Sequence, residues 1–132
     1  MTQHTFITIT HDLIIGHDLD GQLFRDKRWN VQAVTIDTNV RSSYELLKDT
    51  INGTIQVSTT HEGVDVWFDD EFLFKGMDVN PIASVIMAPV VIHGPVVLAR
   101  SNSEGDTIGF SEEEIEMALD KLARVAEALA YP

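Results

Sequence analysis

Cysteine is absent from the 132 residues, and that absence excludes disulfide frameworks, thiolate zinc sites and cysteine nucleophiles together. Bases are scarce: nine Lys and Arg stand against 21 Asp and Glu, for a net charge of −12. Direct nucleic-acid binding through an ordinary basic groove is therefore not expected. No apolar run approaches the roughly 18 residues of a membrane span. The N-terminus, MTQHTFITITHD, lacks a basic region followed by an apolar stretch and a cleavage site, and the cytoplasm is the expected compartment. Gly-x-Ser-x-Gly is missing. The glycines of Asn52-Gly53, Gly76, His93-Gly94 and Gly105 are too scattered to cradle a phosphate and suit turns instead. No repeat, low-complexity tract or Pro/Ser-rich linker divides the chain. One domain is expected, large enough to bury about two thirds of its unfolded surface without a metal or a disulfide.

What is present is unevenly distributed. Residues 1–60 carry seven acids and five bases, whereas residues 61–132 carry 14 acids and four bases, a net of −10. An acidic surface of this kind keeps a small protein soluble; it also suits a basic partner or a stand-in for a nucleic-acid backbone.

Hydrophobic patterning predicts the elements. Phe6–Thr10 alternates as a strand that extends toward Ile15, Asp20-Gly21 supplies a turn, and Gln22–Phe24 returns as a partner. Arg25–Asn30, with three of the nine bases, is expected as a loop leading into a central strand, Val31–Asp37. Ser42 and Glu45 form a capping box for a helix that presents Tyr44, Leu47 and Ile51, and Asn52-Gly53 ends it. Thr54–Thr59 and Val64–Phe68 read as a hairpin, followed by a short run at Phe72–Phe74. Asn80-Pro81 starts a short helix, and Pro95 interrupts the β-prone run from Val90 to Arg100. A second capping box, Ser111 with Glu114, opens a long terminal helix with a stripe of Ile115, Leu119, Leu122, Val125, Ala126 and Leu129. The fold class is α+β: a mainly antiparallel twisted sheet, two or three helices, and the C-terminal helix packed on the sheet. The single domain divides into an N-terminal extension (1–30), a core (31–110) and the terminal helix (111–131).

Candidate chemistry is sparse. His11-Asp12 and His17-Asp18 lack a third ligand at a metal spacing, and the stretch from Asp18 to Gly21 lacks the closing Glu of a calcium loop, where Trp29 stands. No metal and no cofactor are expected, and no residues are assigned catalytic roles. The carboxylates of Asp69, Asp70 and Glu71 lie between Trp67-Phe68 and Phe72, which reads as an exposed acidic turn carrying aromatic anchors. These six residues form the expected binding surface. His93 and Arg100 converging with that turn on a pocket would instead serve a small-molecule or nucleotide binder, or a hydrolase. Homo-oligomerisation through an apolar sheet face is a third reading.

The order of short motifs carries a resemblance. INGTIQV at 51–57, VDVW at 64–67 with Asp70-Glu71, KGMDVNPIA at 75–83 and HGPVV at 93–97 resemble domain-of-unknown-function family 3846, small proteins of bacteria and bacteriophages, notably actinobacteria and their phages. The resemblance spans roughly residues 31–110. The residues before it and the helix after it stand outside the shared part. It implies no established enzyme activity and transfers no catalytic residue. It does imply a phage or prophage origin. With the acidic, cysteine-free composition, it leads to the expectation of a non-enzymatic protein that binds a host protein in host takeover or counter-defence, with toxicity to the host. A nucleic-acid mimic is the narrower version.

Overall fold

In a computed structural model that describes residues 3–17 and 19–130, two fifteen-residue strands open the chain. β1 (Gln3–His17) and β2 (Leu23–Asp37) pair antiparallel in unbroken register from Gln3↔Asp37 to His17↔Leu23. The expected loop at Arg25–Asn30 is therefore strand. Pairing along the whole of β1 overrides the modest strand propensity of its basic residues, as tertiary context commonly does for β structure. Asp18, named above in the metal and calcium-loop readings, lies outside the described residues.

Ser42 caps α1 (Ser43–Ile51), its Oγ accepting from the Glu45 N–H at 3.1 Å, and Asn52 closes it in the left-handed conformation at φ 52°. Leu46, Leu47 and Ile51 are the buried side chains of this helix. Tyr44, expected on that face, stays in solvent, where water satisfies its hydroxyl. β3 (Ile55–Thr59) and β4 (Asp65–Asp69) form the expected hairpin, closed by Thr60 N–H donating to Val64 O at 2.9 Å. The expected strand at Phe72–Phe74 is instead part of a run of turns over 70–76. Asp69 Oδ1 accepts from the Glu71 N–H at 2.9 Å, a local turn that bends the chain out of the sheet.

Asn80 caps α2 (Pro81–Ile86). The β-prone run after it is only partly strand: Pro95 precedes β5 (Val96–Ser101), and Val79↔His93 is an isolated bridge. β6 (Thr107–Ile108) and α3 (Glu112–Ala130) complete the chain. The capping box at Ser111 is formed reciprocally: Ser111 N–H donates to Glu114 Oε1 at 2.9 Å, and Glu114 N–H donates to Ser111 Oγ at 3.2 Å.

All strand pairs are antiparallel, in the order β2-β1-β5-β4-β3, with β6 beside the end of β5. Val31–Asp37, expected to be central, lies on the edge strand β2, and β1 takes the inner place. The patterning misleads because helices cover both faces of the sheet, so even an edge strand needs apolar groups on each side. Val31 packs into one core layer, while Val34 and Ile36 pack into the other. Ile7, Ile9, Val66, Val96 and Leu98 meet Ile82 and Leu122 on the face of α2 and α3; Phe6, Val97 and Ala99 meet Leu46, Leu47 and Ile51 on the face of α1. Strand periodicity of two thus makes the four residues Val96–Ala99 a continuous buried run. Among the described residues, no helix is long and apolar enough to cross a membrane.

Candidate binding groove

The terminal helix does not close fully over its side of the sheet. Between α3, α2, β5 and the β3–β4 turn lies a groove of about 520 Å³, within the size range of small-ligand and side-chain pockets. Leu98 and Phe110 contribute from the sheet side, Ala118, Leu122 and Val125 from α3, and Ile86 from α2. A second hollow of about 260 Å³ shares Thr60, His61 and Ile86 with the first and runs on to Pro89 and Val90. The two adjoin along those shared residues. Their lining carries apolar side chains that folding leaves in water: Met117 is 74% exposed, Val90 52% and Val85 48%.

Two ion pairs stand in the lining. Arg100 Nη1 lies 3.1 Å from Glu114 Oε2, and Lys121 Nζ lies 3.3 Å from Glu62 Oε1. Glu114 has two duties, since one oxygen completes the cap of α3 while the other meets Arg100. The Ser111 N–H bond, then the Ser111 hydroxyl and the Arg100 guanidinium, outweigh burial and hold its carboxyl below the ordinary range. The second bridge ties α3 to the β3–β4 turn at the groove's other side. Both are at least one third exposed and contribute little to stability.

The expected site residues are dispersed. Trp67 packs on the α1 face, and Phe68 packs on the opposite face with Phe72. Phe68, Phe72 and His93 make a chain of rings, with centroids 6.1 Å and 5.0 Å apart. His93 Nδ1 donates to Met77 O at 2.8 Å, a carbonyl being only an acceptor. Asp69 is 0% exposed, and Lys75 Nζ donates to its Oδ2 at 2.6 Å. Asp70 and Glu71 are exposed. The ring beside them that faces solvent is Phe74, 91% exposed, with Leu73 next to it. Arg100 lines the groove; His93 and residues 69–71 do not. Among the described residues, no group of three or more His, Asp or Glu is arranged to hold a metal.

The groove was not legible in the sequence. Met117 widens the apolar stripe of α3 beyond what core packing needs, and that excess was the available signal. Which loops and helices would flank the excess depends on strand order, which periodicity does not contain.

Comparison with curated proteins and with solved structures found no match. The model of a family described as a domain of unknown function, DUF3846, matches residues 23–123, from the start of β2 into the last turns of α3. With about three quarters of its residues inside that match, the chain belongs to the DUF3846 family.

Proposed function

We propose that this chain acts by binding a partner protein, a host protein in the phage setting that the family resemblance suggests, and that the groove beside α3 is the docking surface. One observation carries the reading: a largely apolar groove whose lining, with that of the adjoining hollow, keeps Val85, Val90 and Met117 in water. Exposed apolar groups gathered around a concave surface gain from burial against a partner, whereas the same groups scattered singly need no explanation. A free energy of roughly 25 cal/mol for each Å² of apolar surface removed from water favours docking there.

The test is affinity capture followed by identification of what is retained, comparing the natural chain with a Val85→Asp, Met117→Asp variant. Both positions are exposed, so the fold tolerates the charges. Loss of a partner that the natural chain retains supports the groove; equal retention by the two proteins overturns it.

A second reading is favoured by the exposed Leu73-Phe74 pair beside Asp70 and Glu71. It keeps the acidic turn as the contact and moves the aromatic anchor to Phe74. Capture lost in Phe74→Ala and kept in the groove variant selects it.

A further inference from the structure

We propose that a second copy of this chain pairs with the open edge of β3, antiparallel about Val57, and joins the two sheets into one. This contact is separate from the groove and goes beyond the docking reading above.

The register defines which backbone groups are open. Strand order leaves β2 and β3 at the ends of the sheet. At the two ends of β3, Asp70 N–H donates to Thr54 O and Thr60 N–H donates to Val64 O, both at 2.8 to 2.9 Å. Bonded and non-bonded pairs alternate along an antiparallel ladder. Gln56 and Ser58 therefore bond to Phe68 and Val66 of β4, while Ile55, Val57 and Thr59 turn their N–H and C=O groups outward. Among the described residues nothing bonds to these outward groups, an N–H and a C=O on each of the three.

Composition leaves that edge unguarded. Sheet edges are ordinarily protected from pairing by charge, proline or a bulge. The other edge strand, β2, has Arg25, Asp26, Lys27 and Arg28 in its sequence. β3 is Ile-Gln-Val-Ser-Thr in unbroken register with β4, and no charged residue occurs from Thr50 to Thr60. Val57, at the centre, is 39% exposed.

Two features select a second copy over an extended peptide of another protein. Peptides added to a sheet edge are read by pockets for their alternate side chains, and neither hollow described above reaches Ile55, Gln56, Val57 or Ser58. The strand is also complementary to itself. About a two-fold axis at Val57, Val57 meets Val57 and Ile55 meets Thr59 of the second copy, so every outward group of each copy finds its counterpart. On the face where Ile55 packs with α1, these cross-strand pairs are all β-branched and stabilise the contact. On the opposite face Gln56 meets Ser58 of the second copy, and no like charges stand opposed. With −12 on each copy, long-range repulsion favours contact through a charge-free edge of this kind.

The experiment is sedimentation equilibrium of the full chain across concentration and salt, with amide hydrogen exchange followed by NMR. A monomer–dimer equilibrium is expected that strengthens as salt is raised, since screening removes repulsion between the copies. Exchange at Ile55, Val57 and Thr59 should slow as protein concentration rises, while Gln56 and Ser58 are protected throughout. Val57→Lys should weaken the dimer at least about tenfold with unchanged circular dichroism. Val57→Pro removes an N–H that β4 does not use and should act in the same way, whereas Ser58→Pro removes one that β4 does use and should lower the melting temperature. A chain that stays monomeric up to about 1 mM at high salt overturns the proposal; slowed exchange in such a chain on adding a synthetic extended peptide would give the edge to a partner instead. A dimer that Val57→Lys leaves intact, or that is lost in Val85→Asp, Met117→Asp, places the contact elsewhere and overturns it as well.

Discussion

Lys75 holds its ammonium 2.6 Å from a carboxylate oxygen of Asp69 that solvent does not reach. Asp69 also accepts from the Glu71 N–H, so this pair fixes the exit of β4 into the turn over 70–76. Lys75→Met leaves a buried carboxylate without its cation and is expected to cost about 3 kcal/mol, at the low end for breaking a buried pair because the lysine side is open to water. Denaturant unfolding measures it. A change under about 0.5 kcal/mol, the size of an ordinary surface substitution, would show that the pair is not formed.

Gly53 is required by the same pair. A Cβ there would overlap the Asp69 carboxylate and lie 2.7 Å from Lys75 Nζ. Its need is therefore space and not a special backbone angle. Gly53→Ala is expected to destabilise by about 2 kcal/mol, whereas Gly63, at φ 79° with open space around it, should lose only the strain of a left-handed alanine, about 1 kcal/mol. Thermal unfolding of the two variants should preserve that order, and its reversal would contradict the packing around Asp69.

Acid should weaken the fold through two carboxyls. Burial alone would raise the Asp69 carboxyl, but the Lys75 hydrogen bond, the Glu71 N–H and the Lys75 charge together bring it below 3.8; Glu114 is likewise held below 4.5. Because the unfolded chain then protonates first, these groups stabilise the native state above their unfolded values and lose that contribution as pH falls through the lower folded ones. Melting temperature is expected to decline on acidification below about pH 4.5. The decline should be shallower in Asp69→Asn, Glu114→Gln, and an unchanged slope in that variant would assign it to other acids.

Asn80 is fully buried and uses both ends of its amide: Oδ1 accepts from the Ala83 N–H at 3.0 Å, and Nδ2 donates to Gly94 O at 2.9 Å. Asn80→Asp keeps the acceptor that caps α2 but turns a carboxylate oxygen toward a carbonyl. It is expected to cost more than Asn80→Ser, by about 1 to 2 kcal/mol, because both acceptors are then left facing each other in the interior. Equal costs measured by chemical denaturation would mean that the carboxylate of Asn80→Asp turns away from the Gly94 carbonyl.

On α3, neighbouring faces should respond oppositely to the same charge. Leu122 is 4% exposed and Met117 is 74% exposed. Leu122→Asp is expected to unfold or aggregate the chain, since burial of a leucine contributes about 1.5 to 3 kcal/mol and an unpaired carboxylate adds its desolvation cost. Met117→Asp should leave melting unchanged while removing partner capture. A soluble Leu122→Asp protein with native melting would reassign the face.

Local rules carried much of this chain's architecture. The Ser42 cap and the capping box at Ser111, the Asn80-Pro81 helix start, the β3–β4 hairpin and the α+β class were legible because each depends on residues within a few positions, whose hydrogen bonds or periodicity the sequence spells out directly. The acidic second half was legible for the same reason, charge being a property of composition. Tertiary structure alone decided that β1 is inner and β2 an edge, since pairing partners are chosen by contacts distant in sequence and both faces of the sheet are covered. It also decided that Asp69 leaves the apparent acidic turn for an ion pair with Lys75, that Trp67 and Phe68 face opposite core layers, and that Met117 and Ala118 overlook a groove. Each of these depends on which surfaces meet when the layers stack, and burial is a property of the packed assembly.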